Sequence, residues 1–211
     1  MYPPPKLVGV TPTPTLIQPN PVSIAQTTLP VTSVKPGDTV VIDFTFFDAV
    51  GNPILTTDQN LYNQTSANTS GLVLARQISV TSDQTLTGSV YPVRIYTPGS
   101  GWIKQFAIFS PEFNAISAGI VNMKTNEKKR ITIPSGNSMT QNWGTDQLSS
   151  NNVNITDIHI GDILAMGISD RPTGGDPIMY VRIGEVTQKS VSNVIVDFGY
   201  PVVEVKVISI N

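Results

Sequence analysis

From Thr39 to Phe46 apolar and polar positions alternate, with Val40, Ile42, Phe44 and Phe46 on one face and Val41, Asp43 and Thr45 on the other. That period of two predicts a strand with one buried face. Asp48-Ala49-Val50-Gly51-Asn52-Pro53 follows and closes a hairpin with turn-forming residues. Residues 56–70 are rich in Asn, Thr and Gln and read as a loop, after which Leu72-Val73-Leu74, Val90–Tyr96 and Trp102–Phe106 supply further apolar runs. The period then changes. Over 110–121, Phe113, Ile116, Ile120 and Val121 recur at three-to-four-residue spacing, which predicts one short amphipathic helix, with Ser110 as its cap and Pro111 in its first turn. Lys124-Thr125-Asn126-Glu127 makes a turn, and Lys128–Ile133 alternates into a strand that ends on Pro134.

Residues 136–156 are mostly Gly, Ser, Asn and Gln, with Met139, Trp143, Leu148, Val153 and Ile155 as apolar anchors. Ile158–Gly167 begins another strand, and Ile178–Val186 is its partner across a turn at 171–177. Val202–Ile210 closes the chain as a strand. A lone helix among so many alternating segments needs a sheet to cover its stripe. The expected class is therefore α+β and mostly β, an antiparallel sheet wrapped around one short helix.

Composition narrows the chemistry. Only 13% of the 211 residues are charged, against about a quarter in ordinary globular proteins. The net charge is −2, and Lys128-Lys129-Arg130 is the one basic run, so no electrostatic footprint for nucleic acid is present. With no cysteine and one histidine, neither a disulfide nor a Cys/His zinc site is available, nor can a Ser-His-Asp or Cys-His set be anticipated. No cofactor is implied, and no apolar run reaches the roughly 20 residues that span a bilayer. Residues 1–33 carry repeated prolines between Thr, Val and Ile and read as a semi-rigid linker or arm. If Met1 is native, the chain reads as cytoplasmic; otherwise this stretch suits a stalk behind a removed anchor at a cell surface.

The run from Ala115 through Gly119, Met123, Asn126-Glu127-Lys128-Lys129 and Ile131-Thr132-Ile133-Pro134 resembles the helix, turn and strand of FKBP-type peptidyl-prolyl isomerases. Asn126 stands where that family usually has Gly. Lys35–Phe44 with Asp48–Thr57 resembles the family's opening hairpin, and Val194-Ile195-Val196-Asp197-Phe198-Gly199-Tyr200-Pro201 with the strand after it resembles the closing segment of the SlyD-like branch, which carries a domain inserted in its flap. The resemblance implies an FKBP-like domain from 34–135 and 190–211, an insert-in-flap domain at 136–189, and an extra region at 58–105 that extends the sheet or covers the groove.

It also implies a prolyl-peptide groove. Phe44 takes the place of the first-strand tyrosine, Ile54 that of an apolar hairpin residue, and Leu55 that of the usual Asp. Phe113 forms a wall, Ile116 replaces the floor Trp, Met139 lies near the flap tyrosine, and Val203 near the last-strand Phe. Isomerising an X–Pro bond needs no nucleophile, only an apolar cup and donors that favour the twisted amide over a barrier of about 20 kcal/mol. Here the cup is apolar but the Asp and both tyrosine hydroxyls are replaced, so no catalytic residue is named. The same side chains are equally suited to be core facing the helix. The expected function is a weak FKBP-like isomerase and folding helper that binds prolyl or unfolded polypeptide. The alternative is a catalytically inactive peptide-binding or cell-surface interaction module, and a structural role for the proline-rich arm is a third.

Overall fold

The computed structural model describes residues 32–65, 71–134, 139–170 and 176–211. The proline-rich arm, apart from its last two residues, and most of the 171–177 turn lie outside these residues. In chain order the strands of the first half are β1 (Thr39–Phe47), β2 (Pro53–Thr56), β3 (Val73–Leu74), β4 (Ile78–Thr81), β5 (Val90–Thr97), β6 (Gly101–Phe109) and β7 (Lys128–Thr132). The second half adds β8 (Thr140–Gly144), β9 (Ile163–Asp170), β10 (Ile178–Lys189), β11 (Asn193–Asp197) and β12 (Val202–Ile210). Helices α1 (Gln59–Thr65), α2 (Ser110–Gly119) and α3 (Thr145–Ser150) join them. The protein is thus mostly β, of α+β class.

The strands form two six-stranded sheets. In the first the order is β3-β2-β1-β12-β7, with β4 paired to the other half of β1's edge. The alternation of β1 explains why it is central: Val40, Ile42, Phe44 and Phe46 are all buried on one face. β12 answers it in register, with Phe44 opposite Val205 and Phe46 opposite Val203, while Asp43 faces Lys206 on the outer surface. At the edge, β7 buries Ile131 and leaves Lys128, Lys129 and Arg130 exposed. The salt bridges of Lys128 and Arg130 to Glu204 are 3.5 Å long and solvent-exposed, and so contribute little to stability.

The second sheet has the order β5-β6-β10-β11-β8, with β9 on the other edge of β10. β5 and β6 are a long hairpin, and β6 meets β10 through a single parallel register pair, Phe106 with Val181. Region 58–105 thus supplies α1, β3, β4, β5 and the start of β6. Val93, Ile95, Phe106 and Ile108 of the hairpin join one buried cluster with Phe44, Leu55, Ile116 and Val203. A second cluster runs from Trp143 and Leu148 through Met166 and Val186 to Val194, Val196 and Phe198, past residue 189, and Val31–Asn211 form one compact unit. No helix among the described residues is long and apolar enough to cross a membrane.

Helix α2 differs in detail from its expected start. Phe109, not Ser110, is the cap residue, and its N–H is taken by the Glu112 carboxylate at 2.9 Å. Ser110 is already the first residue of the helix, one position past the cap, and its backbone N–H donates to Ser89 O at 3.0 Å. Helix α1 forms where a loop was expected, because Asp58 Oδ1 accepts the N–H groups of Asn60 and Leu61. It buries no side chain, so it leaves no apolar stripe in the sequence. α3 is tied by Gly144 N–H to Gln147 Oε1 and inserts Leu148 into the second cluster.

Candidate functional site

After β7 the chain leaves the first sheet for the second a second time, past Ile133-Pro134, and returns at Gly199-Tyr200-Pro201. These two strands are held side by side by Ile133 N–H donating to Pro201 O at 2.8 Å and Phe198 N–H donating to Met139 O at 3.2 Å. The prolines stop both strands from extending their ladders, since neither has an N–H to give. Asp197 Oδ1 accepts the Gly199 N–H at 2.8 Å and turns the chain toward Tyr200. Against this crossing stands the N-terminus of α2, carrying Phe109, Pro111 and Glu112.

Beneath the crossing lies Arg182 of β10, fully buried. It shares a strand face with buried Tyr180, Gly184 and Val186, where an apolar side chain would be expected. Its Nη1 donates to Glu112 Oε2 at 3.0 Å and Ala107 O at 2.6 Å, and its Nη2 pairs with Glu112 Oε1 and reaches Phe198 O at 2.6 Å. Nε donates to Phe198 O at 3.2 Å. The rings of Phe109 and Tyr200 flank the guanidinium, with centroids 4.4 and 4.0 Å from its carbon. Among the described residues no buried side-chain nitrogen or oxygen lacks a partner.

A fork of this kind suits arginine, whose planar donors match a carboxylate two at a time. Burying the pair carries a large desolvation cost, which the bidentate geometry and the carbonyl acceptors offset. Glu112 also gains from its place in the first turn of α2, where the helix dipole favours a negative charge. The network therefore fixes β6, α2, β10 and the return strand relative to one another. Gly184 lets β10 come this close to β11: a Cβ there would lie 2.6 Å from Val196 Cγ1 and 2.8 Å from Asp197 O. Tyr200 completes the wall, its hydroxyl donating to Ile183 O at 2.6 Å. Burial pushes the Tyr200 phenol well above its ordinary range, although the Arg182 charge pulls the other way.

Over this network sits a cavity of about 160 Å³, lined by Ala49, Phe109, Pro111, Glu112, Ile133, Pro134, Met139, Asp197, Gly199, Tyr200 and Pro201. Exposed Ala49 and Pro134 stand at its mouth. Its volume is close to the roughly 150 Å³ that accommodates a benzene ring in an apolar protein cavity. Its one hydroxyl, that of Tyr200, is committed to Ile183 O, and its largely apolar walls suit the reception of an apolar ring or branched side chain. A larger polar groove over the outer face of the first sheet, about 680 Å³, is lined by Asp43, Asp58, Lys128, Glu204 and Lys206 among others. Its charges of both signs face each other across the strands.

Of the residues assigned to the prolyl groove, only Met139 lines the cavity. Phe44, Ile54, Leu55, Phe113, Ile116 and Val203 are all buried in the first cluster, none more than 5% exposed. They do come together in one buried cluster, which the chain's own β5–β6 hairpin shares, although the neighbouring Ile54 and Leu55 point to opposite sides of β2. Tyr91 of β5 stacks on Phe113 with ring centroids 4.8 Å apart, and Val93 and Ile95 join the same cluster. Arg182, Glu112 and Tyr200 were not anticipated from the sequence. One signal was available for the first: a single arginine inside the apolar alternation of Ile178–Val186 requires a buried acceptor.

Compared with known proteins, the chain matches no family model and no curated protein.

Proposed function

We propose that the protein is a peptide-binding module on an FKBP-like scaffold, with binding located at the cavity on the strand crossing instead of the family's groove. The scaffold reading is supported by the segments that carry the resemblance. The β1–β2 hairpin, the closing strand β12 and the helix-following strand β7 are neighbours in one sheet, and α2 packs beside them. The observation that carries the binding reading is the contrast at the site. Apart from Met139, the groove residues are buried in the cluster that β5 and β6 share, with Ile54 also lining a small cavity beside the crossing, whereas a ring-sized apolar cavity at the crossing opens beside exposed Ala49 and Pro134. A convergent apolar pocket on a rigid frame is the ordinary form of a binding site. One apolar side chain buried in it contributes about 1.5–3 kcal/mol, so single-peptide affinity is weak, as suits a protein that holds many clients briefly.

The second reading is a weak prolyl isomerase, favoured by the side-by-side placement of the same segments. The two are separated by titrating short Phe-Pro and Leu-Pro peptides while recording backbone amide NMR shifts, beside a protease-coupled isomerisation assay. Shifts are expected around Ile133, Met139 and Gly199, lost in Ala49→Phe, with no rate acceleration. Shifts centred on Phe44 and Ile116, or a clear acceleration, would overturn the proposal.

A further inference from the structure

The cavity has a one-sided electrostatic setting. Asp197 and Glu112 line it, and a smaller cavity shares Ala49, Asp197, Gly199 and Tyr200 with it and adds Asp48 and Glu185. No Lys, Arg or His lines either one. Arg182 below is spent on Glu112 and backbone carbonyls, so its charge is already answered. Glu185 and Asp197 sit directly opposite each other on β10 and β11. Like charges in that register repel, and a cation between or beside them would relieve the repulsion. Asp48, Glu185 and Asp197 take part in no salt bridge among the described residues. Nor do acidic groups here converge into a set able to hold a metal ion. Glu112 is answered in turn by Arg182, and Asp48 accepts from the Val50 N–H and from the Asn52 N–H and side-chain amide, which leaves Asp197 and Glu185 as the acidic groups a ligand can meet. The complement of the cavity beside them is an apolar side chain of ring size with a positive charge a residue or two away.

We propose that the cavity selects basic peptides: extended segments in which an aromatic, prolyl or branched apolar residue enters the pocket and a flanking Lys or Arg lies against Asp197 and Glu185. This rests on the reading that the cavity binds peptide at all. The apolar residue supplies contact area, and the flanking cation supplies discrimination and salt dependence.

The test compares two fluorescently labelled hexapeptides with a central Phe-Pro, one with Lys at both ends and one with Gln there. Anisotropy is followed in the intact chain at low and high salt. The Lys peptide is expected to bind about 5–10-fold more tightly at low salt, with the gap closing as salt rises. In the double variant Glu185→Gln, Asp197→Asn the ratio of the two affinities should fall close to one. Asn at 197 keeps an oxygen for the Gly199 N–H, and circular dichroism checks that the variant is folded. Equal binding of both peptides by the wild-type chain would overturn the selectivity and leave peptide binding standing. Failure of both peptides to bind would overturn both. A ratio unchanged in the double variant would place the discrimination elsewhere and overturn the proposal.

Discussion

The cluster that holds Phe44, Ile54, Leu55, Phe113, Ile116 and Val203 and the cavity between Met139 and Tyr200 are both largely apolar, and α2 contributes to both. They differ in what fills them and in what supports them. The first is buried throughout in a cluster shared with β5 and β6, with Ile54 also reaching a small cavity. The second is held open by a frame of polar groups, with Arg182 and Glu112 beneath, Arg182 itself anchored on the carbonyls of Ala107 and Phe198, and prolines at both strand ends. Apolar groups left to themselves collapse toward close packing. A cavity persists where its walls are pinned by directional bonds that cannot follow the collapse. The apolar pattern of a groove therefore reports burial, and availability depends on what else in the chain reaches it.

The largest effect should come from unpinning the cavity. Arg182→Met leaves Glu112 buried without its partner, and loss of one member of a buried pair costs about 3–5 kcal/mol. Urea unfolding should show that loss, and the double change Glu112→Gln, Arg182→Met should recover part of it. If Arg182→Met unfolds at the wild-type midpoint, the network does not hold the crossing together. The next effect acts on the sealed face. Ile116 is fully buried, and Ile116→Ala should cost about 3 kcal/mol by leaving a void in the first cluster. Peptide affinity at the crossing, measured under conditions where the variant is folded, should stay at the wild-type value. A loss of affinity beyond that due to unfolding would return the binding site to the Phe44–Ile116 face.

Much of the first sheet was legible because its strands alternate: β1 buries Val40, Ile42, Phe44 and Phe46, with Thr45 of the other face buried as well, β12 buries Val203, Val205 and Val207, and β7 follows its helix after a polar turn. The mostly-β α+β class follows from the same pattern. Helices α1 and α3 were not legible, since Gln59–Thr65 buries nothing and Thr145–Ser150 buries only Leu148. Such helices depend on caps and side-chain hydrogen bonds, not on a stripe. Nor does local pattern show which strands meet across the chain. The pairing of β6 with β10 joins residues 106 and 181, and it is this pairing that carries Arg182 to Glu112. All seven groove residues, Met139 among them, were assigned by resemblance, and six of them also fit the apolar pattern that core residues share, which is where they lie.

The smallest effect separates the two regions by pH. Tyr200 belongs to the wall of the open cavity, and its phenol titrates above the ordinary value of 10.0 because burial disfavours the phenolate, with Arg182 opposing. The folded chain therefore keeps a proton that the unfolded chain releases as pH rises through about 10. Bound protons are then more numerous in the folded state, so unfolding becomes easier with each further rise in pH. Stability from this group is fully present below that point and is lost above it. Tyr200→Phe removes the titrating group and the hydrogen bond to Ile183 O, at a cost of about 1 kcal/mol near neutrality. Urea midpoints followed from neutral pH into the alkaline range should fall for the wild type and flatten for the variant. Tyr91, on the closed face, is also raised by burial, but its hydroxyl lies in an exposed hydrogen bond to Ser79 O at 3.0 Å. Tyr91→Phe should leave the alkaline slope near that of the wild type. If instead Tyr91→Phe flattens the slope and Tyr200→Phe does not, the pH-sensitive contact lies where β5 covers the predicted groove, and the strand crossing is the more tolerant of the two regions.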